Sequence, residues 1–524
     1  MYQQITHRRS KDRHFLVLLR GGDTGLQQQQ YCNDAPPGRC QSILHVQRAR
    51  FLQKDKYALS IVPSRKMFVM SSVLFGIFVL LTSYQQLMMS HGIHDDQPST
   101  NTLLNLVHLQ DERSDIAPIV ENFSSSVGAK GAHHSDLQES NERAPVIIIP
   151  GSLGSILEAK LDKKGSNDNN SWLCAMKSDW YTLWITESAM VAQNCFFDNI
   201  KLRYLAGEDG RTSPKHEGVT VRVPFYGDSV EGVRCLLPQT EVSCKASANW
   251  KVVIERFEAI GYQVGADLFS APYDFRQGPD DFMVDAYPKL KKLVEQVYTQ
   301  NGRKVKLVSI SLGGAFTHTF LTHFVDQEWK DKHIASWLSL AGIFNGFSQS
   351  FQNVMFGRNQ FLGFPVFKQT DVRDAYRTWF SANWLIPKPL YGDNRVILET
   401  PSRQYRLSDI PELLHGDQRE MYLRSFRYNV TADPGVSVDC WFTKKKDTSP
   451  TGYKTNLEMS SDSFYGPEGI EVQEVLGKGD GTIDAASLSL CERWNSTRSI
   501  RYGGRCHGCL LNTPEVADFV AEME

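Results

Sequence analysis

A serine at the end of an apolar run is the residue whose setting most directly indicates chemistry. The run Val305–Ile310 leads into Ser311 and then into a helical pattern. A strand that turns sharply into a helix lifts one serine hydroxyl above a sheet, and the residues two before and two after it must be small because the two backbones nearly touch. Ser309 and Gly313 occupy those positions. Ser311 is therefore the predicted nucleophile, with an ordinary Ser/Gly-rich turn as the alternative.

The base and the acid that would activate this serine are predicted from their order along the chain. A serine hydroxyl needs a general base and the base needs an orienting acid, which in this type of site follow the serine as Asp and then His. Asp480 lies in a glycine-rich segment after an apolar run, where backbone amides could bond its carboxylate. Asp484 is a nearby rival, and a solvated turn aspartate is the other alternative. His507 is the only histidine after Asp480, so a set that uses Asp480 must use His507.

Two backbone amides are predicted to stabilise the negative charge that develops on a carbonyl oxygen under attack. In such sites one donor follows the nucleophile and the other lies in a loop after an earlier strand. The apolar run Val146–Ile149 leads into the glycine-flanked turn Gly151–Gly154. The predicted donors are the amides of Ser152 and Leu312.

The elements that would position these residues alternate between strand and helix over ~380 residues from Ala144 to Glu524. Continuous apolar strands with helices between them are typical of a mainly parallel sheet that is covered on both faces. The sequence therefore predicts an α/β domain. The predicted strands are Val146–Ile149, Val305–Ile310, Ala335–Leu340, Val396–Leu398 and Val436–Phe442, and the clearest helical pattern is Asp281–Thr299.

A segment typical of a transmembrane helix precedes this domain. Met67–Tyr84 has 18 residues without a charge, close to the roughly 20 that cross a bilayer. A buried core helix is the alternative, but the segment is apolar on every side. Basic residues cluster before it, which predicts a cytosolic tail and a lumenal or extracellular domain. A cleaved signal peptide is a further alternative if translation starts at Met67 or Met70.

This apolar segment divides the chain into four predicted parts. They are a basic cytosolic tail over 1–66, a transmembrane signal anchor over 67–84, a flexible stem over 85–143 and a lumenal domain over 144–524. The tail carries a net charge of +8 and the remainder −10, although the whole chain is −2. A nucleic-acid binder needs a basic surplus on its folded part, so that class is excluded.

Cysteines and glycosylation sequons favour the secretory pathway. Eight of the ten cysteines follow the apolar segment, an even number that suits disulfides in an oxidising compartment. The three-residue signal for N-glycosylation occurs four times, which supports the same location. The acceptor residues are Asn122, Asn169, Asn429 and Asn495.

Six motifs in this order resemble the lecithin:cholesterol acyltransferase family, which includes a related lysosomal phospholipase. They span roughly 145–515. The motifs are the run 144–163, Trp172–Cys174, Ala271–Arg276, the serine elbow, Gly479–Ile483 and the late His507. The resemblance implies an α/β-hydrolase with a mostly parallel central sheet covered by helices and with cap or lid insertions. It also implies Ser311 as nucleophile, Asp480 as acid, His507 as base, and the amides of Ser152 and Leu312 as oxyanion donors.

The same resemblance implies two disulfides and a lipid-contacting surface. Cys174–Cys195 would close a small loop that engages lipid, with Trp184 as its membrane-touching residue, and Cys440–Cys491 would be the second family disulfide. A phenylalanine-rich segment after Gly342 falls where the family has its active-site lid. Exposed aromatic residues there would fit a lipid surface, and ordinary core packing is the alternative. These residues are Phe344, Phe347, Phe351, Phe356, Phe361, Phe364 and Phe367.

The chain departs from the family pattern in three places. Ser309 and Ile310 replace the usual residues before the nucleophile. The pair Cys235 and Cys244 has no family counterpart, and its nine-residue spacing suits a local disulfide. Cys506 and Cys509 enclose the predicted base in a Cys-x-x-Cys motif, which could be a redox dithiol, half a zinc site or a small disulfide. Zinc needs more ligands and no second such pair exists in the sequence, so a Cys506–Cys509 disulfide is the prediction and no metal is expected.

The apolar segment predicts a membrane anchor and the serine motif predicts an acyl-enzyme. The family resemblance implies that this enzyme moves a fatty-acyl group from a phospholipid to a sterol or another lipid hydroxyl. Hydrolysis of the same ester by water, as in a phospholipase or lipase, is the first alternative. A hydrolase-fold protein that binds lipid without catalysis is the second. No cofactor or calcium is implied because amides would meet the oxyanion, and the sequence indicates no particular activating partner.

Overall fold

The structure is a computed structural model that describes residues 143–523 except 165–173, 187–191, 208, 239, 359, 362–363, 366, 429, 459–471 and 504–505. The predicted tail, the predicted transmembrane segment and all of the predicted stem but its last residue lie outside the described residues. Within the described ranges, no helix combines the length and the apolar character needed to cross a bilayer.

Seventeen strands occur in the described part of the chain. They are β1 (Val146–Ile149), β2 (Leu157–Asp162), β3 (Lys177–Trp184), β4 (Leu202–Leu205), β5 (Arg211–Pro214), β6 (Val219–Arg222), β7 (Leu268–Ser270), β8 (Val305–Ile310), β9 (Ile334–Leu340), β10 (Gln360–Phe361), β11 (Phe364–Pro365), β12 (Val396–Glu399), β13 (Gln404–Arg406), β14 (Val438–Phe442), β15 (Lys445–Lys454), β16 (Gln473–Gly479) and β17 (Thr497–Tyr502).

The α-helices of the same ranges flank and connect these strands. They are α1 (Gln193–Ile200), α2 (Glu231–Arg234), α3 (Glu241–Ala246), α4 (Lys251–Ala259), α5 (Pro279–Val284), α6 (Ala286–Asn301), α7 (Leu312–Thr319), α8 (Gln327–His333), α9 (Ser348–Met355), α10 (Gln369–Tyr376), α11 (Phe380–Trp384), α12 (Ile410–Leu413), α13 (Gly416–Arg424), α14 (Ala485–Leu488) and α15 (Glu515–Glu522). A π-helical turn, Phe320–Phe324, extends α7.

The central sheet has six strands in the order β17-β14-β9-β8-β1-β7, and every neighbouring pair is parallel. Strands β1 and β8 are buried at every position, because helices cover both faces of a parallel sheet and leave no solvated side. The strand order reverses beside β1, and the loops that follow β1 and β8 leave the sheet at the same edge. That edge is where an open α/β sheet places its ligand site.

A second sheet of four strands, in the order β13-β12-β15-β16, carries one strand that was predicted from its apolar run. The run beginning at Val396 forms β12, which pairs with β13 and β15 and does not enter the central sheet. The apolar composition of this short run did not indicate which of the two sheets it would join. The central sheet takes Leu268–Ser270 and Thr497–Tyr502 instead, which are shorter or more polar than the predicted strands.

The predicted helix over 281–299 is divided into α5 and α6 at Asp285. Pro288 explains the division. A proline has no N–H to donate to the carbonyl four residues earlier, and its ring crowds that carbonyl, which here belongs to Val284. A continuous helix therefore ends at Val284 and a new one begins at Ala286.

Candidate active site

Ser311 occupies the sharp turn between β8 and α7 that the sequence pattern predicts. Its backbone has a φ of +59°, a conformation that L-residues adopt rarely and that is typical of a residue held by its surroundings. Its N–H donates to the carbonyl of Leu340 at 3.0 Å, and its own carbonyl accepts from the amide of Ile343 at 3.1 Å. The segment that follows β9 therefore holds the serine backbone on both sides.

The small residues around Ser311 are required by close backbone contact. A Cβ atom added to Gly313 would lie 2.5 Å from the carbonyl oxygen of Pro150, so α7 can pack against the end of β1 only with glycine there. Ser309 takes the other small position. Its hydroxyl accepts a hydrogen bond from the Trp337 indole at 2.8 Å. The serine thus gives the buried indole N–H an acceptor that a glycine side chain could not provide.

The predicted oxyanion donors lie on two backbone segments that meet at Ser311. A Cβ atom added to Gly151 would come within 2.9 Å of the Ser311 Cβ, so the turn containing Ser152 lies directly against the nucleophile. Leu312 is the first residue of α7, and the first N–H groups of a helix have no carbonyl partner inside it. The two segments therefore meet at Ser311, and the oxyanion role of the two amides stays a prediction.

The turn containing Ser152 is supported from behind by side chains that the sequence did not single out for this role. The Tyr273 hydroxyl donates to the carbonyl of Pro150 at 3.1 Å, and its ring stacks on Phe316 of α7 at 4.2 Å between centroids. The Asn249 amide donates to the carbonyl of Gly154 at 2.9 Å. Tyr273 belongs to the motif Ala271–Arg276, so its presence in that motif was the available signal.

Asp480 is held by backbone amides on one side and by the predicted base on the other. Its Oδ1 accepts from the amides of Thr482 at 3.0 Å and Ile483 at 2.8 Å. Its Oδ2 lies 2.7 Å from Nδ1 of His507, and the His507 amide also donates to the Asp480 carbonyl at 3.0 Å. The carboxylate is buried, so it is fixed in place and turned toward the imidazole.

The rival carboxylate, Asp484, is engaged elsewhere. It caps α14 by accepting from the Ser487 amide, and it forms an ion pair with Arg395 at 3.0 Å. Burial raises the pKa of Asp484, and the Arg395 guanidinium opposes that shift. The geometry assigns Asp484 to the support of the loop and leaves Asp480 as the partner of His507.

His507 reaches this position because it follows β17 at the same edge of the sheet. With Nδ1 donating to the Asp480 carboxylate, Nε2 carries the lone pair that a general base needs. The Cys506–Cys509 disulfide encloses the residue, and the Cys509 amide donates to the Cys506 carbonyl at 3.0 Å. Within the described residues, no group of three or more histidine, cysteine or acidic side chains could hold a metal.

The segment after β9 also joins the nucleophile to the acid loop. Ile343 donates to the Ser311 carbonyl, and the next two amides, of Phe344 and Asn345, both donate to the Ser487 hydroxyl at 3.1 Å. Ser487 is in α14, whose cap is Asp484. One short segment thus fixes the distance between the serine turn and the loop that carries Asp480.

All four predicted cysteine pairs lie at bonding distance. They are Cys174–Cys195, Cys235–Cys244, Cys440–Cys491 and Cys506–Cys509. Of the four sequon asparagines, Asn495 is exposed, and Asn122, Asn169 and Asn429 lie outside the described residues.

Trp184 does not occupy the lipid-facing position that the family resemblance implied. Only 4% of the residue is exposed. Its indole N–H donates to the carbonyl of Leu153 at 2.9 Å, and its ring packs edge-on against Phe275 at 5.5 Å. A buried indole needs a hydrogen-bond acceptor, and the turn beside Ser152 provides one. Trp184 therefore supports the predicted oxyanion turn in this structure.

The phenylalanine-rich segment after Gly342 is likewise mostly core, which corrects the expectation of an exposed aromatic surface. Its described members are buried or packed against the core, as large apolar side chains are when a neighbouring layer can cover them. They are Phe344, Phe347, Phe351, Phe356 and Phe367. The side chains of Phe361 and Phe364 lie outside the described set.

A serine on a sharp strand-to-helix turn, at the carboxyl edge of a parallel sheet and followed by a joined Asp–His pair, defines the α/β-hydrolase class. Sequence comparison then gives the family. The chain belongs to the lecithin:cholesterol acyltransferase family, and a profile of that family matches residues 177–416. The phosphatidylcholine-sterol acyltransferase of Mus musculus is 30% identical over 373 residues, which is 69% of this chain and 79% of that protein.

Other similar proteins carry a related name. The lysosomal phospholipase A and acyltransferase of Bos taurus is 29% identical over 361 residues, which is 67% of this chain and 83% of that protein. The corresponding human protein is 29% identical over 361 residues, with 67% and 82% covered. Among solved structures, the Tle4–Tli4 complex covers 73% of this chain and 100% of the matched chain at 13% identity and a TM-score of 0.35, so the fold is assigned from this chain's own topology.

Proposed function

We propose that this protein is a lipid O-acyltransferase that moves a fatty-acyl group from a phospholipid to a sterol or another lipid hydroxyl through an acyl-enzyme on Ser311. The observation that carries the proposal is the 2.7 Å contact between His507 Nδ1 and Asp480 at the edge of the sheet where the serine turn lies. Relatives named for phospholipid acyl transfer supply the substrate class.

The first half-reaction follows from these positions. Nε2 of His507 takes the Ser311 proton while the oxygen attacks the acyl carbonyl, and Asp480 stabilises the imidazolium that forms. The amides of Ser152 and Leu312 donate to the oxyanion. His507 then protonates the leaving lysophospholipid oxygen as the tetrahedral intermediate collapses to an acyl-serine.

The second half-reaction reverses these roles with a new acceptor. His507 removes the proton from the acceptor hydroxyl, which attacks the acyl-serine carbonyl and releases the ester and the free serine. The alternative product, a free fatty acid, arises when water is the acceptor. This phospholipase reaction is the second candidate for two reasons. Transfer and hydrolysis would share the same acyl-enzyme on Ser311, and similar proteins are named both phospholipase and acyltransferase.

The test supplies the full chain with a phospholipid labelled in its acyl group, together with a sterol or a long-chain alcohol. Label in the acceptor ester supports transfer, and label mainly in free fatty acid favours the phospholipase alternative. Ser311→Ala is expected to lose both products by about 10³-fold or more. A Ser311→Ala protein that turns over normally would refute the acyl-enzyme on Ser311. A wild-type protein that binds lipid but forms neither product would favour a lipid-binding protein.

We further propose that the catalytic domain, 144–524, lies in the lumen or outside the cell, following a tail over 1–66, an anchor over 67–84 and a stem over 85–143. The uncharged segment 67–84 and the basic residues before it support this single-pass arrangement with a cytosolic N-terminus. Four disulfides and an exposed sequon at Asn495 are compatible with an oxidising compartment. A form cleaved after the apolar segment would be secreted.

A further inference from the structure

Strand β16 exposes apolar side chains at the edge of the four-stranded sheet. It is the last strand in the order β13-β12-β15-β16, so one of its sides has no partner strand within the described residues. Val475 is 39% exposed and Leu476 is 47% exposed. Exposed apolar residues on a sheet edge are a liability in water unless another surface covers them.

Basic residues lie beside these apolar ones. Lys444, Lys445 and Lys446 are exposed, and the last two begin β15, the strand that pairs with β16. Lys445 pairs in register with Gly479, the residue before Asp480. Within the described part of the chain, Lys445 makes no ion pair, whereas Lys444 pairs with Glu492 and Lys446 with the neighbouring Asp447.

The end of β17 extends the same surface toward the site. Tyr502 is 62% exposed, its hydroxyl donates to Glu492, and the Lys444 ammonium lies 5.3 Å from its ring centroid. Tyr502 joins Lys444 and Lys445 in lining a concavity of about 430 Å³. Because Asp480 directly follows Gly479, the partner of Lys445, this end of the surface adjoins the loop that carries Asp480.

We propose that these residues form a membrane-docking surface for a bilayer that contains anionic lipid. The surface, called the ribbon surface below, is the edge of the β15–β16 pair and consists of Lys444, Lys445, Lys446, Val475, Leu476 and Tyr502. Successive side chains of a strand point to opposite faces, so Val475 and Leu476 flank this edge from its two faces. The inference rests on the proposed function, because an enzyme that acts on phospholipid must meet its substrate at a bilayer or particle surface.

Charge and apolarity together specify the occupant. Basic side chains are attracted to an anionic bilayer surface, and exposed aliphatic side chains are stabilised when they enter the interfacial region. A tyrosine with an apolar ring and a wet hydroxyl suits the same boundary. The residues first expected to meet lipid, Trp184 and the described lid phenylalanines, are buried or packed against the core. The ribbon surface is exposed and adjoins the loop that carries Asp480.

The first test compares two substrates for each variant of the full chain. Leu476→Ser and the double variant Lys445→Gln/Lys446→Gln are each expected to lower turnover of phospholipid in vesicles with 30% phosphatidylserine by about tenfold. Hydrolysis of a water-soluble short-chain ester is expected to stay within about twofold. The charge variant should lose its defect in phosphatidylcholine vesicles and at high salt, where screening removes the attraction.

Matched controls lie far along the chain. Val242 on α3 is 61% exposed, and Lys304 and Lys332 are exposed lysines. Val242→Ser and Lys304→Gln/Lys332→Gln should leave both rates unchanged. Equal losses in these controls, or an equal loss on the soluble ester in the ribbon variants, would overturn the proposal.

A second test does not depend on catalysis. Hydrogen exchange of the full-length Ser311→Ala protein, reconstituted in vesicles with or without phosphatidylserine, is expected to slow in Gln473–Gly479 when the anionic lipid is present and to remain unchanged in Glu241–Ala246. Unchanged exchange in both segments would overturn the docking surface even if acyl transfer is demonstrated. Protection at the strand, together with neither acyl transfer nor hydrolysis by the wild-type protein, would support docking and refute the proposed enzyme.

Discussion

At the scale of residues, two neighbouring carboxylates differ in whether they contact His507. Asp480 and Asp484 are four residues apart and both are buried, yet only Asp480 lies within hydrogen-bonding distance of the imidazole in the described contacts. Asp484 instead neutralises Arg395 and caps α14. Replacing each aspartate with its isosteric amide therefore separates chemistry from support.

Asp480→Asn is expected to lower kcat by about 10⁴-fold with little change in fold, because an amide at this place favours the wrong imidazole tautomer and cannot stabilise the imidazolium. Asp484→Asn is the matched control. It removes the charge that pairs with Arg395, so the free energy of unfolding should fall by about 2–3 kcal/mol while folded protein keeps its turnover. Kinetics and chemical denaturation of both variants check this, and equal kinetic losses would contradict the assignment of Asp480.

The sequence predicted the contact between Asp480 and His507 better than it predicted the direction of other side chains. His507 was predicted from its order along the chain, because it is the only histidine after Asp480. Asp480 was predicted because the glycines around it let backbone amides reach its carboxylate. The family resemblance placed Trp184 in a loop that engages lipid, but a resemblance in sequence does not say which way a ring points. The direction depends on a distant acceptor, the carbonyl of Leu153, and such tertiary contacts are not visible in a local pattern.

At the scale of elements, helix α7 joins Ser311 to a buried histidine, and burial disfavours the charged form of its ring. His318 is seven residues after Ser311 and is stacked on Trp494 at 4.8 Å between centroids, with Nε2 donating to the Ala432 carbonyl at 2.8 Å. Burial lowers the pKa of His318 to about 4. The neutral ring is therefore part of the packing between this helix and the loop before β14.

The free energy of unfolding should fall on acidification because of His318. Because the folded-state pKa of His318 lies near 4 and the unfolded value near 6.5, the unfolded state binds more protons between those pH values. Stability is then complete above pH ~6.5 and falls by about 3 kcal/mol toward pH ~4. His318→Gln, which can still donate to Ala432, should remove that part of the slope in urea denaturation. Exposed His415→Gln is the control, and an unchanged slope in His318→Gln would contradict this explanation.

Elements with long apolar runs were predicted closely, and those defined by their partners were not. Strands β1 and β8 have the predicted bounds. Strand β17, with the sequence TRSIRY, has a polar pattern, and its place beside β14 depends on parallel pairing with a distant strand. The assignment of β12 to the second sheet has the same cause, because a four-residue run fits either sheet by its own composition.

At the scale of the whole molecule, the uneven distribution of charge supports the proposed membrane topology. The net charge of −2 is the sum of a basic N-terminal part and an acidic remainder, and no local feature of the catalytic domain requires that separation. A membrane between the two parts would explain it, since basic residues are retained on the cytosolic side. The sequence alone carries this proposal, because the described residues begin at Arg143.

The topology has a direct test in microsomes that contain the full chain. Protease added outside should remove the N-terminal tail and leave the catalytic domain intact until detergent is added. Asn495→Gln should increase gel mobility by one glycan, with Asn456→Gln, an asparagine outside any sequon, as control. Digestion of the domain without detergent, together with no change for Asn495→Gln, would place the domain in the cytosol.

The acyl-enzyme on Ser311 is the central claim, and mass spectrometry of the trapped intermediate tests it most directly. The full chain is mixed with phospholipid whose acyl group is isotopically labelled, quenched in acid within one turnover and digested. We expect the labelled acyl group on the peptide containing Ser311 and no label on that peptide in Ser311→Ala. When sterol is added before the quench, the label should move from the peptide to sterol ester. Formation of acylated product by Ser311→Ala at the wild-type rate, with no label on the wild-type peptide, would contradict it.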